Sequence, residues 1–278
     1  MSATVFFAVL GAALLHASWN ALIRLVQSKV AIMMILTFVQ GVAGLVLAMT
    51  RDWPTLEVWA WLAVSGVFHA AYKVFLTYAY EQGDLSRVYP IARGAAPLMV
   101  LLVSGLFLND IIRLPEVVGI LILGFGIGLM GRGAFLSGET RKLVPFALFS
   151  AMATAGYTIV DGMGARVAGD PIQFVAWLFV VDAVLLTPVM IALRGPGIVK
   201  APPRAWALGS IAATASFGAY TIAIWAMTVA PIALVAALRE TSILFAVLIG
   251  WLVFKEPMDR VKIAAAALIV AGVAATRL

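Results

Sequence analysis

Six ionisable side chains sit where ionisable side chains are expensive. Lys73, Arg93, Asp161, Asp182, Arg239 and Glu240 all fall inside long apolar runs. A charge near a bilayer centre costs at least about 2.5–3.5 kcal/mol on insertion scales, so each needs a partner, a wet cavity or a short route to the interface. Three are basic and three acidic, and the plain reading is that they pair with one another. The other reading is that some of them meet a cargo. Arg93 and Arg239 are the sharpest candidates. Each lies roughly 8–12 Å along its helix from the nearer end at 1.5 Å per residue, and a guanidinium there suits an anionic group such as a carboxylate. Pro90 and Pro97 flank Arg93, and each removes a backbone donor, which predicts a kinked helix beside a cavity.

Polar residues recur at helical spacing around these charges. His16, Asn20 and Arg24 share one face of a helix, with Trp19 beside them. Thr154, Thr158 and Asp161 make a matching stripe beside Tyr157, so both helices are expected to line one cavity; interhelical hydrogen bonding is the competing use. His69 and Lys73 lie four residues apart, with Tyr72 alongside and Tyr80 further on. Lys73 suits a carboxylate cargo or Asp182 as counter-ion, and a histidine exchanges protons near neutral pH. Trp19, Tyr72, Tyr89 and Tyr157 could wall a ligand or simply pack. Ser65 also sits four residues before His69, but no turn that would supply oxyanion donors accompanies the pair, which argues against a protease. The pattern gives substrate-facing residues His16, Trp19, Asn20, His69, Tyr72, Lys73, Tyr89, Arg93, Tyr157 and Arg239, with Asp161, Asp182 and Glu240 as charge partners or structural groups.

The elements that must hold these residues are set by composition. Of 278 residues, 64% are apolar and 12% charged, and the mean hydropathy is +1.07. A soluble domain carries about 25% charged residues, and a disordered chain needs low hydrophobicity, so lipid is the main solvent. The net charge of +6 arises from Lys and Arg in short gaps between apolar runs, where anionic headgroups attract them; no basic cluster interleaved with aromatics suggests nucleic acid. Cysteine is absent, which removes disulfides, thiolate metal sites and a cysteine nucleophile. No metal or cofactor is expected.

A helix needs about 20 apolar residues to cross a bilayer. Ten stretches meet or approach that: 3–23, 30–50, 58–80, 88–108, 114–130, 143–162, 172–193, 205–229, 232–254 and 261–276. They are apolar on all faces and predict helices, since backbone groups in lipid must pair within the segment. The run beginning at Thr4 has no basic residue before it and reads as a first span, not a cleaved leader. The expected fold is an all-α polytopic membrane protein, with a first unit over 1–131, a linker over 132–142 and a second unit over 143–278.

The two units look related. Arg93 and Arg239, Asp110 and Glu256, and Gly126 and Gly272 each lie 146 residues apart; Gln40 and Asp182 lie 142 apart; Trp19 and Tyr157, like Asn20 and Thr158, lie 138 apart. Five is odd, so two tandem five-span units must enter the membrane from opposite sides, giving an inverted repeat. Spans five and ten carry small residues, Gly124, Gly126 and Gly128 against Ala267, Ala271 and Ala275, suited to bracing the fold or to a homodimer face. Gaps after odd-numbered spans hold twelve basic residues (Arg24, Lys29, Arg87, Arg132, Arg141, Lys142, Arg194, Lys200, Arg204, Lys255, Arg260, Lys262); the others, with the C-terminal tail, hold four (Arg51, Arg113, Arg166, Arg277). By the positive-inside rule that count puts both termini outside the cytoplasm.

The sequence resembles the drug/metabolite transporters of the EamA type. The residues that carry the likeness are His16 to Arg24 in span one, Pro90 to Pro97 with Asn109-Asp110 in span four, and Leu238 to Phe245 with Gly250-Trp251 and Lys255-Glu256-Pro257 in span nine. The resemblance implies ten spans in two five-helix repeats, a bacterial inner (plasma) membrane, and export of amino acids or related metabolites. Some relatives carry nucleotide sugars or sugar phosphates. An aromatic amino-acid exporter subgroup has a tryptophan-proline pair in span four where this chain has Tyr89-Pro90. Members are often drawn with cytoplasmic termini, so the resemblance and the charge count give opposite orientations, and both stay open. No GxxxxGK[ST] motif is present, which argues against primary transport. The expected partners are a small-molecule substrate and the lipid bilayer, with no nucleic acid. Alternatives are a sugar-phosphate or nucleotide-sugar antiporter, proton-coupled multidrug efflux, a channel, or, from another class, an intramembrane enzyme.

Overall fold

The computed structural model describes residues 1–25, 29–82, 85–130, 143–195, 197 and 200–278; at 24, 29–30, 77, 80–82, 85–92, 143 and 193–194 it describes the backbone alone. Among the described residues there are eleven helices and no strand. They are α1 (Ala3–Arg24), α2 (Lys29–Ala48), α3 (Leu56–Gln82), α4 (Leu85–Phe107), α5 (Leu114–Met130), α6 (Leu143–Ala168), α7 (Pro171–Arg194), α8 (Pro203–Val229), α9 (Ile232–Arg239), α10 (Ser242–Leu252) and α11 (Arg260–Ala275). The caps are local. Ser2 accepts from the amide of Val5 to start α1, and Asp259 accepts from that of Lys262 to start α11. Asp170 accepts from Ile172 and Gln173 ahead of Pro171, a proline placed where its missing donor costs nothing. Gly169 makes the left-handed turn before it, at φ +70°.

Seven spans have the length and apolarity to cross a membrane, and Arg93–Phe107 and Leu114–Met130 are shorter apolar helices. With α11 they make ten crossings of an integral membrane protein. Large apolar side chains such as Phe7, Val46, Phe107, Phe125 and Val184 point outward, as lipid-facing groups do. Two boundaries differ from the sequence reading. Span six continues to Ala168, because Asp161 and Arg166 find partners within the bundle. Span nine breaks at Glu240 and Thr241, where the amides of Glu240 and Thr241 turn back to Ala237 and Leu238, three residues before them. α4 runs helical through Pro90 and Pro97, and the broken span nine has no proline inside it.

Packing repeats across a pseudo-twofold axis. α3 lies on α6 as α8 lies on α1; α4 lies on α6 as the α9–α10 span lies on α1; α2 meets α7 and α5 meets α11 across the axis. Two five-span units related in this way form the inverted repeat. Close crossings use glycine. A Cβ at Gly44 would stand 2.6 Å from the carbonyl oxygen of Ala176, and one at Gly272 would stand 2.7 Å from that of Gly119. The bracing seam of α11 is therefore Ala265, Ile269 and Gly272, while Ala267 and Ala271 face outward. On α5, Gly124 abuts Leu98 and Gly126 abuts Leu268, but Gly128 faces open space. Every residue of α9 is buried, which sets that half-span at the centre of the bundle.

Candidate functional site

A cavity of about 180 Å³ lies at the centre of the bundle. Both repeats wall it. α1 supplies His16, Trp19 and Asn20; α3 supplies His69, Tyr72 and Lys73; α4 supplies Arg93; α6, Tyr157; α9, Arg239. Nine of the ten residues read as substrate-facing thus come together. The tenth, Tyr89, has its side chain outside the described residues, as do Arg24 and Tyr80. Asp182 is also on the wall. Thr154, Thr158 and Asp161 are buried in helix contacts and do not line the cavity; the polar stripe of span six turns toward its neighbours, leaving Tyr157 to face inward. Gln40, Phe179, Ser216 and Tyr220 complete much of the wall. A helix-by-helix alignment of the repeats would have found Tyr220, which is the eighteenth residue of α8 as Lys73 is of α3.

Most of the membrane charges are paired. Lys73 Nζ lies 2.5 Å from Asp182 Oδ1, and Arg93 Nε lies 3.2 Å from Glu240 Oε2. Arg93 also approaches His16, with Nη2 3.3 Å from Nε2. These pairs repay part of the desolvation that each ion would suffer alone. His69 Nε2 sits 3.1 Å from Asp161 Oδ2, the oxygen to which the Tyr220 hydroxyl also donates. Ser65 Oγ is buried with no hydrogen-bond partner, so the Ser65–His69 dyad does not form.

Arg239 is different. Its side chain is buried on the cavity wall, its guanidinium stands 5.7 Å from the centroid of the Tyr220 ring, and Nε and Nη1 have no hydrogen-bond partner. Trp19 Nε1, on the same wall, is another buried donor without a partner. Buried donors left unmade are costly, and both belong to residues facing an open volume. Aromatic rings frame that volume. His69 stacks on Tyr157 at 4.2 Å between ring centroids, Tyr72 meets Tyr157 at 5.8 Å, and His16 meets Trp19 edge-on at 5.0 Å.

On the membrane face that carries both termini, charged side chains tie the helix ends together. Asp110, just after α4, accepts from Arg166 through both oxygens, at 2.8 and 3.1 Å, and also from the amide of Ile232 at 2.9 Å. Arg166 reaches on to the carbonyls of Met227 and Ala230. One carboxylate and one guanidinium so join α6, the end of α8 and the start of α9. Alongside, Arg51 pairs with Asp170 and Gln173 donates to the carbonyl of Asp52, joining α2 to α7. In the opposite direction the cavity wall extends to Trp19, Asn20 and Met33, beside the junction of α1 and α2.

A ten-crossing bundle of two oppositely inserted units around a charged central cavity is the architecture of a membrane carrier. The profile of the EamA-like transporter family matches residues 3–132 and 141–278. The chain belongs to that family and transports small molecules across a membrane. A solved crystal structure is similar to it with a TM-score of 0.79, over 100% of this chain and 99% of its own length, at 20% identity; that likeness concerns the fold alone. No curated protein matches the sequence.

Proposed function

We propose that the protein is a secondary transporter that exports amino acids and related small metabolites by alternating access. The observation that carries this reading is the buried Arg239 guanidinium, whose Nε and Nη1 lack partners on the cavity wall. A carboxylate held there would satisfy it by charge-assisted hydrogen bonds, and Trp19 Nε1 offers a further donor. The volume of about 180 Å³ suits a small metabolite; drug-sized sites occupy about 300–1,000 Å³. That size weighs against nucleotide sugars. Trp19, Tyr72 and Tyr157 favour cargo with an apolar or aromatic side chain. The tied terminal face supports alternation, since a carrier keeps one gate closed while the other opens.

The test is uptake into liposomes holding the purified full-length protein, screened across amino acids, sugar phosphates and cationic dyes. Saturable counterflow of amino acids, weakened in Arg239→Gln, is the expected result. Sugar-phosphate counterflow without amino-acid counterflow would replace the proposal with an antiporter of phosphorylated sugars, and unsaturable flux would replace it with a channel.

A further inference from the structure

Asp161 is the deepest acidic group of the described bundle, with none of its side chain exposed. It is not on the cavity wall, but its two side-chain partners are: His69 Nε2 lies 3.1 Å from Oδ2, and the Tyr220 hydroxyl bonds the same oxygen. Oδ1 is buried and has no partner. The residue 138 positions earlier, at the matching place in the first repeat, is the apolar Ile23, so the bundle's symmetry does not require an acid here. Nor does pairing alone explain it, because Lys73 and Arg93 are taken by Asp182 and Glu240.

We propose that Asp161, His69 and Tyr220 form a proton site whose occupancy is exchanged against cargo. The inference rests on the transport reading above and assigns its coupling ion. The cavity reaches His69, and His69 reaches Asp161, so a proton from the cavity has a one-step route to a buried carboxylate. With His69 neutral, the cluster carries one negative charge, felt at the wall. With a proton on His69 or Asp161 it is neutral. The ammonium of a zwitterionic cargo and the proton therefore compete for one charge, and competition at a site is reciprocal coupling. No bond other than that to the exchanged proton forms or breaks. The charged and titratable groups facing the cluster from its packed neighbours are His16 on α1, Lys73 and Tyr72 on α3, Arg93 on α4, Tyr157 on α6, Asp182 on α7 and Arg239 on α9. Of these, Lys73, Arg93 and Asp182 are engaged with fixed counter-charges. His16 lies against Arg93, with Nε2 3.3 Å from Nη2, and within the cluster the proton-carrying pair is His69 and Asp161.

The test measures protons moved per amino acid moved in proteoliposomes holding the full chain. Trapped pyranine reports internal pH, and labelled L-phenylalanine and L-threonine report cargo. In the wild type, amino-acid efflux should drive proton influx. Asp161→Asn should abolish the proton signal while labelled counterflow continues. His69→Gln should lower the proton-to-cargo ratio to background at whatever flux it retains, and because a ratio is read, it decides the matter if Asp161→Asn fails to fold. Wild-type net amino-acid efflux without proton influx overturns the proton site and leaves the transport reading intact. A variant of either residue that still moves protons at the wild-type ratio overturns it as well. Absence of counterflow for any amino acid in the wild type overturns the transport reading, and this site with it.

Discussion

Removing the Asp110 carboxylate as Asp110→Ala tests whether the terminal face is a gate. Three hydrogen bonds end on this group, two from Arg166 and one from the amide of Ile232. The pair is half-sheltered, with side-chain exposures of 12% for Asp110 and 27% for Arg166. Breaking a fully buried pair costs about 3–5 kcal/mol, and an exposed pair contributes about 0–1 kcal/mol. An intermediate value of about 2 kcal/mol follows, which at about 1.4 kcal/mol per decade shifts a closed–open equilibrium by roughly thirtyfold. The chain has no cysteine, so a single reporter can be read without background. Ala230, whose carbonyl accepts from Arg166 and which is 8% exposed, is placed to become Ala230→Cys. Its labelling by a membrane-impermeant maleimide should be slow with Asp110 present and should rise by about one to one and a half decades with Asp110→Ala. Labelling at an unchanged rate, in protein that remains folded by size-exclusion chromatography, would refute the gating argument and leave Asp110 a purely structural clamp.

Three further outcomes are expected. Gly272→Ala places a Cβ 2.7 Å from the backbone of Gly119 and Leu123 and should destabilise the protein by about 1–3 kcal/mol, read as a lower melting temperature, whereas Gly128→Ala, which meets open space, should leave the melting temperature the same or slightly higher, because alanine is the better helix former. Arg239→Gln should raise the half-saturation concentration for amino-acid counterflow by roughly ten- to a hundredfold, the equivalent of about 1.5–3 kcal/mol for a charged hydrogen bond; a shift of less than threefold would remove Arg239 from the site. Arg93→Ala leaves Glu240, 2% exposed, without its close cation and should lower the melting temperature more than the double variant Arg93→Met/Glu240→Gln does; equal losses would mean that the pair is not coupled.

Much of this was legible in the sequence because lipid is an uncompromising solvent. Apolar run length and the absence of charge fixed ten crossings, and an odd number of spans per related unit fixed their opposite insertion. The recurrence of Arg93 at Arg239 and of Gln40 at Asp182 marked the two units as related. Depth in an apolar run identified the residues that needed partners. What sequence spacing could not decide was which partner each would take. Arg93 had three acidic candidates and meets Glu240; Lys73 meets Asp182; Asp161 meets His69 and a tyrosine, Tyr220, that no apolar-run argument had marked. The rotation of α6 about its own axis turns Thr154, Thr158 and Asp161 away from the cavity while Tyr157 faces it, and a period of 3.6 residues read from sequence does not resolve that angle. Nor did any proline announce the break after Arg239. The sequence by itself determined which side chains would be costly in the membrane. Only the packed bundle determined which costs cancel in pairs and which, at Arg239 and Asp161, are left facing or just behind an open volume, because pairing depends on distances of 3 Å between helices that lie far apart in the chain.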